Sequence, residues 1–268
     1  MPELPEVETI SRSMAGNVGA GITRLEFRRV DIIRQQDFTP EKLEGKAIQA
    51  IYRRGKFLVF AFPRNHHLVV HLGMSGRLYM LDDNEEAADK HIHLVVHMNN
   101  GRRLAYQDAR RFGGVWLVHD IAAFFCRMGP EPLGDEFTPR YLEQAIKGRH
   151  TAIKNLLLDQ NLIAGIGNIY ADEALFAAGI RPDRTADSLT AEDIGRLWQA
   201  IREVLSSSIA ARGTTFRDYR DGYNQAGGFQ HQLKVYGRDD QPCSCCGEII
   251  QKGRIGGRGT HFCSRCQG

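Results

Sequence analysis

His91-Ile92-His93-Leu94-Val95-Val96-His97-Met98, then Asn99-Asn100-Gly101-Arg102, then Arg103-Leu104-Ala105-Tyr106: this stretch decides the fold. Two runs rich in Val, Ile, Leu and Tyr flank Asn100-Gly101. That pair tolerates the positive φ of a two-residue turn, so the stretch is predicted to be a β-hairpin. The same pattern repeats outward. Further strands are predicted at Arg24–Arg28, Ala47–Arg53, Phe57–Phe62, His67–Leu72, Arg77–Leu81 and Val115–Val118. Many short strands at close spacing predict a β-sandwich or flattened barrel, not a parallel sheet. One helix, from Pro5 to Ala15, precedes them.

Beyond the strands the pattern breaks. Gly129-Pro130-Glu131-Pro132-Leu133-Gly134 reads as a linker, and helices follow it. The clearest, Ala191 to Ala211, carries Ile194, Leu197, Trp198, Ile201, Val204, Leu205 and Ile209 as one apolar stripe, with Thr190 as its cap and Asp193 three residues on. Shorter helices are expected at Ile153–Asp159 and Tyr170–Ala178. Between them, Ala164-Gly165-Ile166-Gly167-Asn168-Ile169 puts glycines before a helix. Such a turn either faces an anion with backbone N–H groups or simply joins two helices. The chain is therefore expected to be α+β, with a β domain over 1–128, a linker over 129–134, a helical domain over 135–228 and a cysteine-rich module over 229–268.

The chain has 268 residues, with 35 Lys and Arg against 32 Asp and Glu, a net charge of +3. That is length enough for two domains, and a balance that neither demands nor excludes a polyanion. No apolar run approaches the roughly 20 residues needed to cross a bilayer, and the acidic start has no apolar signal region. A cytoplasmic protein without membrane contact is expected. Five of six cysteines fall after position 242. Cys243/Cys246 and Cys263/Cys266 form two Cys-x-x-Cys pairs with 16 residues between them, a zinc spacing. Four thiolates close the tetrahedron, so one structural Zn2+ is expected. Cys245 could compete as a ligand, although the two-residue spacers fit a knuckle turn better. Cys126 reads as a small buried hydrophobe.

The first residues, Met1-Pro2-Glu3-Leu4-Pro5-Glu6, have two readings. One is a helix entry, with Pro5 in the first turn and Glu6 at the positive end of the dipole. The other is chemical. Removing Met1 frees Pro2 as a secondary amine with an ordinary pKa near 8, able to attack an aldehyde carbon. The resulting iminium stays cationic and is a strong electron sink, and Glu3 beside it could move protons. Three turns place basic or apolar side chains at loop tips: Arg53-Arg54-Gly55-Lys56, Gly73-Met74-Ser75-Gly76 and Asp108-Ala109-Arg110-Arg111-Phe112-Gly113. Arg can pair with base edges or phosphate, and Met or Phe can wedge between bases; core packing is the competing reading of Met74 and Phe112. Together with Lys252, Arg254, Arg258 and Arg265 near the cysteines, they make nucleic acid the expected partner class.

These motifs, with Met128–Leu133, Leu157–Gln160, Val235-Tyr236-Gly237-Arg238 and Gly257–Cys263, resemble in order those of the bacterial formamidopyrimidine-DNA glycosylase family. The resemblance spans nearly the whole chain. It implies an N-terminal helix on a two-layer β-sandwich, a helix–two-turn–helix domain and a C-terminal β-hairpin zinc finger, with damaged duplex DNA between the two halves. It implies base excision repair of oxidised purines by a glycosylase with β,δ-lyase activity. Nothing in the sequence suggests a stable oligomer, so a monomer without an obligate protein partner is expected. The damaged nucleotide is flipped out, because its sugar carbon is unreachable in the duplex. In this family resemblance, Pro2 matches the nucleophile, Glu3 the proton-transfer group, Lys56 a lysine near the reacting sugar, and Arg258 the finger arginine on the lesion's phosphates. His71, Asn168, Tyr236 and Lys252 match phosphate contacts; His91 and Arg149 match further DNA-contact positions. Met74, Arg110 and Phe112 match the trio filling the gap of the flipped base, with Arg110 reading the orphaned cytosine. Glu173 matches an acid of structural role, and loop 217–228 a segment that folds over the flipped base.

Two features depart from the pattern: the extra Cys245, and Met1, whose retention makes the Pro2 nitrogen an amide. The sister endonuclease VIII type, acting on oxidised pyrimidines, differs in its start, arginine loop and finger. A DNA-damage binder without catalysis would not need Pro2, Glu3 and Lys56 together.

Overall fold

The computed structural model describes residues 1–81, 88–216 and 219–268. They form two compact units. Met1–Arg127 with Ala211–Gly228 make the first, and Met128–Ala210 with Phe229–Gly268 the second.

In the first unit, helix α1 (Leu4–Met14) precedes nine strands: β1 (Ile22–Phe27), β2 (Ile33–Gln36), β3 (Ala50–Arg54), β4 (Phe57–Phe62), β5 (His66–His71), β6 (Arg77–Leu81), β7 (Ile92–Met98), β8 (Arg103–Gln107) and β9 (Gly114–Val118). The strands make two sheets, ordered β1-β7-β8-β6 and β2-β9-β5-β4-β3. The hairpin predicted around Asn100-Gly101 is β7–β8, with Val95 opposite Ala105 and Val96 opposite Leu104. Alternation decides which side chains go inside. Leu58, Phe60 and Phe62 of β4 and Leu68 and Val70 of β5 join Leu94, Val96, Leu104 and Tyr106 of the other sheet, with Val7, Ile10 and Met14 of α1, in one core. Each such side chain contributes about 1.5–3 kcal/mol when fully buried. The intervening Val59 and Val69 face outward and are covered by Trp116, by Ile121 and Phe124 of α2 (Ile121–Phe124) and by Phe125 after it.

One pairing departs from the expected antiparallel pattern: β2 runs parallel to β9. Its Ile33-Arg34-Gln35-Gln36 is too short and polar to stand out as a strand, and only tertiary pairing makes it one.

The second unit contains α3 (Pro139–Ile146), α4 (Ile153–Leu157), α5 (Asn168–Ala178), α6 (Ala191–Ala210), β10 (Gln251–Ile255) and β11 (Arg258–Phe262). Helix α5 is buried along nearly its whole length and packs against α6, whose buried apolar residues are Ile194, Leu197, Ala200, Ile201 and Leu205. Trp198 is half-buried, and its indole N–H donates to the Phe137 carbonyl at 2.7 Å. Thr190 and Asp193 cap α6 reciprocally, at 3.0 and 3.2 Å. Helix α3, not anticipated above, starts at Thr138-Pro139, where the Thr138 hydroxyl accepts the Tyr141 N–H at 3.1 Å.

Two boundaries fall differently from expectation. Residues 129–134 cluster with the second unit, where Arg202 donates to the carbonyls of Pro132 and Gly134. Residues 211–228, expected in the helical domain, cluster with the β unit. The cause is hydrogen bonding to α1 and β6: Glu6 accepts the Thr214 N–H, and Gly222 accepts the Met80 N–H. Among the described residues no helix is long and apolar enough to cross a membrane.

Candidate functional site

The first unit gathers chemistry at the start of α1. Pro2, Glu3 and Glu6 are buried. Glu3 is the N-cap, and it forms a capping box with Glu6. One Glu6 oxygen accepts the Glu3 N–H at 2.8 Å and the other accepts the Thr214 N–H at 2.7 Å. Tyr219 donates its hydroxyl to the Glu6 carbonyl at 3.3 Å and to that of Arg212 at 3.2 Å. Glu6, read from sequence as a dipole partner, therefore also ties residues 211–228 to the N-terminus. Burial of the Tyr219 phenol pushes its pKa up, and the Glu6 carboxylate adds to this.

Lys56 sits in the tight turn between β3 and β4, yet it is buried, not solvated as a turn lysine usually is. His71 lies on β5 opposite Phe57, with ring centres 4.7 Å apart. Burial and then the Lys56 ammonium push the His71 pKa down to about 4, against a smaller upward pull from Asp108. Its Nδ1 accepts the Gly73 N–H at 3.2 Å, so the ring is neutral with its hydrogen on Nε2. Because the folded pKa lies below the ordinary 6.5, the unfolded chain takes up this proton first. The contribution is complete above about pH 6.5 and is lost as pH falls toward 4. His71→Gln is expected to flatten the fall in urea midpoint between pH 6.5 and 4; an unchanged profile would refute a neutral buried His71.

Met74 and Phe112 are 39% and 58% exposed, so the core reading of both fails. Their loops meet backbone to backbone. Gly73 has φ +59°, and a Cβ there would come within 2.5 Å of the Gly113 nitrogen. The Arg110 guanidinium lies 4.7 Å over the Phe112 ring, and its Nη2 is 3.5 Å from the Met74 sulfur. Met74, Arg110 and Phe112 thus form one exposed cluster. His91 is half-buried, its N–H donating to Asp89 at 2.7 Å and its carbonyl accepting the Asp108 N–H at 2.9 Å.

Of the loop 217–228, Arg217 and Asp218 lie outside the described residues. The rest is held by bonds within the loop and by bonds to Glu6, Met80 and Arg77. Buried Asp221 accepts the N–H groups of Tyr223 and Gln225, both at 2.9 Å, and pairs with Arg212. Tyr223 is left exposed.

In the second unit a buried network holds the β10–β11 hairpin. Lys154 and Asp172, both fully buried, pair at 2.6 Å. The Lys154 ammonium also donates to the Gly259 carbonyl and the Thr260 hydroxyl, at 2.9 and 2.8 Å. Asp172 accepts the His261 N–H at 2.9 Å, and the His261 ring lies between Asp172 and Asp239, at 3.2 and 3.4 Å. Asp239 in turn holds Lys252 at 3.0 Å. Asn168 donates to the same Gly259 carbonyl at 2.8 Å, and Tyr236 packs on His261 with ring centres 5.0 Å apart. The tip of the hairpin closes on Asn155. Gly256 has φ +54°, and a Cβ there would meet the Asn155 oxygen at 2.1 Å. Arg258 follows this tip and is exposed. Asn168, Tyr236, Lys252 and Arg258 therefore share one hairpin and its supports. Arg149 lies exposed beyond α3, outside this network.

No sequence motif assigns a role to Lys154, Asp172 or His261; the signal for the first two is a charge inside Ile153-Lys154-Asn155-Leu156-Leu157 and another inside the apolar α5. Lys154→Met leaves Asp172 buried without its cation and is expected to cost about 3–5 kcal/mol. Lys154→Met/Asp172→Leu is expected to recover most of that. Hydrogen exchange of α5 and β11 amides measures both; equal protection in the parent and the single variant would refute the ion pair's role.

Glu173 accepts three successive N–H groups, from Lys234, Val235 and Tyr236, at 2.8–2.9 Å. Burial raises its pKa, and these three donors work against the rise. They anchor the approach to the finger.

The sulfurs of Cys243, Cys246, Cys263 and Cys266 all lie within 4.8 Å of one another. Cys243–Cys266 is 3.8 Å and Cys246–Cys263 3.4 Å. A zinc–sulfur bond of about 2.3 Å gives tetrahedral edges of roughly 3.8 Å, so the four thiols fit one zinc ion. Cys245 is exposed, with its N–H directed at the Cys243 sulfur at 3.4 Å. Cys126, expected in the core, is exposed as well.

Three family models match in series: the formamidopyrimidine-DNA glycosylase N-terminal domain over residues 1–115, its H2TH domain over 128–220, and a zinc finger found in FPG and IleRS over 240–268. A formamidopyrimidine-DNA glycosylase of Syntrophomonas wolfei is 55% identical over 267 residues, covering all of both chains. The structure is similar to that of a Lactococcus lactis FPG mutant in complex with Fapy-dG DNA (TM-score 0.93, 36% identity, 99% of each chain). It is also similar to MutM in complex with carbocyclic 8-oxo-G DNA (TM-score 0.92, 36% identity, 99% of each chain).

Proposed function

The chain belongs to the formamidopyrimidine-DNA glycosylase family, and from that membership we propose a bifunctional enzyme that excises oxidised purines from duplex DNA and then cuts the strand. The observation that carries the reading is the start of α1. Pro2 and Glu3 are buried side by side, Glu3 is set by its capping box, and the start is tied down by Glu6.

With Met1 removed, the Pro2 nitrogen attacks C1′ of a flipped nucleotide. The bond from C1′ to the base breaks, and the base leaves with the bonding electrons and takes up a proton. Glu3 protonates the ring oxygen as the sugar opens, leaving a Pro2 iminium at C1′. The Glu3 carboxylate then accepts a proton from C2′. The C2′–H electrons flow toward the iminium and give an enamine. The enamine pushes them back to form the C2′–C3′ double bond as the 3′ phosphate leaves with the C3′–O bonding electrons, which restores the iminium. Loss of the C4′ proton through the same sink then releases the 5′ phosphate with the C5′–O bonding electrons. Lys56 lies near the reacting sugar and its phosphate. His71, His91, Asn168, Tyr236, Lys252, Arg149 and Arg258 hold DNA, Arg258 on the lesion's phosphates. Met74, Arg110 and Phe112 fill the gap of the flipped base. Zinc held by the four cysteines would supply structure only, since four protein ligands leave no open position. The enzyme acts as a single chain. Relatives bound to Fapy-dG and 8-oxo-G DNA support the purine assignment.

Borohydride trapping on an 8-oxoguanine:cytosine duplex tests the reading, because borohydride reduces the iminium to a stable amine. Mass spectrometry is expected to find the cross-link on Pro2. A link to another residue, or intact lesion DNA with no link, would overturn the mechanism. Faster cutting of a thymine glycol duplex would overturn the purine assignment.

A further inference from the structure

The Met74–Arg110–Phe112 cluster is assembled from two loops, and a buried carboxylate joins them. Asp108 is fully buried. One of its oxygens accepts the Ser75 hydroxyl at 2.7 Å; the other accepts the Gly113 N–H at 2.9 Å and the Tyr106 hydroxyl at 3.3 Å. Its carbonyl accepts the Arg111 N–H at 3.3 Å and faces His93 Nε2 at 2.8 Å. The Ser75 oxygen, already donating to Asp108, accepts the Arg110 N–H at 3.3 Å. Ser75 thus follows Met74 directly and bonds to both Asp108 and Arg110.

We propose that Ser75 and Asp108 are positioning residues that make Met74, Arg110 and Phe112 one preordered wedge, and so set how strictly the base opposite the lesion is read. The inference rests on the reading of that trio as the gap filler. Its physical basis is the cost of ordering. A long arginine and a methionine on independent loops each lose conformational freedom at the moment of insertion. Loops already clasped have lost it beforehand, and the donors of Arg110 then meet the opposite base in one fixed register. A short hydrogen bond to a buried carboxylate is among the strongest neutral-donor contacts available for this. Sites held by such supporting bonds discriminate better than sites left loose.

The test is single-turnover excision of 8-oxoguanine opposite cytosine and opposite adenine, with an abasic single strand as a third substrate. That strand has no opposite base to read. Ser75→Ala is expected to lower the cytosine-over-adenine preference about tenfold, the scale of one hydrogen bond to a charged group. Cutting of the abasic single strand is expected to stay near the parent's rate. Ser75→Thr, which keeps the hydroxyl, is expected to restore the preference. An unchanged preference in Ser75→Ala would overturn the proposal, as would an equal loss on all three substrates. A parent protein that cuts none of the three would overturn the glycosylase reading, and this inference with it.

Discussion

Protein that keeps Met1 is expected to bind lesion duplex and cut none of it. With Met1 in place the Pro2 nitrogen is an amide, its lone pair is delocalised, and no iminium can form. Loss of a nucleophile costs catalysis on the order of 10³-fold or more. The comparison is direct: the same preparation, before and after removal of Met1 by an aminopeptidase, assayed on an 8-oxoguanine:cytosine duplex. Met1 is half-exposed, so it is open to such processing. Glu3→Gln is the companion variant. A glutamine can still accept the hydrogen bond of the capping box, so α1 should keep its start. It cannot take the C2′ proton, and a loss of about 10²–10⁴-fold is expected from one acid–base group. If Met1-bearing protein cut as fast as processed protein, Pro2 would not be the nucleophile.

Removing the metal should have the second large effect. The finger's own core is small: Val235, Cys243, Ile250 and Cys263 packed with Phe176 of α5. So few side chains do not stabilise a fold alone, and a structural zinc site contributes an apparent ~10–16 kcal/mol in small zinc modules. The parent is expected to carry one zinc per chain by native mass spectrometry. Cys263→Ser should lose it, whereas Cys245→Ser should keep it, because Cys245 is outside the four-sulfur cluster. Without the metal, Arg258 and Lys252 lose their fixed places on the hairpin. Each charged contact to phosphate is worth about 1.5–3 kcal/mol, so affinity for an abasic-site duplex should fall at least ~100-fold. The Lys154–Asp172 pair lies under β11 and tethers the hairpin, but it does not close the knuckle around the cysteines. Zinc-free protein that binds DNA like the parent would sink the idea that the finger grips it.

Much of this protein was legible locally. Phe57–Phe62 and Arg77–Leu81 are strands to the residue, and Thr190 caps α6 with Asp193 answering it. These features depend on side-chain periodicity and on hydrogen bonds between near neighbours in the chain. The zinc ligands were readable for the same reason, since two-residue spacers fold each cysteine pair into one turn. Tertiary structure alone decided the rest. Ile33–Gln36 becomes a strand only because β9 lies beside it. Met74 and Phe112 have two readings in the sequence, and only the fold, in which their loops meet backbone to backbone and both tips stay exposed, decides between them. A lysine in a tight turn is usually solvated, but folding buries Lys56 near His71, and burial of His71 followed by the Lys56 ammonium lowers that imidazole's pKa. Asp108, Lys154 and Asp172 look like ordinary charges in the chain. What they do follows from partners that are often distant in sequence, Ser75, Gly113, Thr260 and His261. A buried charge must find its counterpart wherever the fold brings one, and that place depends on the packing of whole elements, not on spacing along the chain.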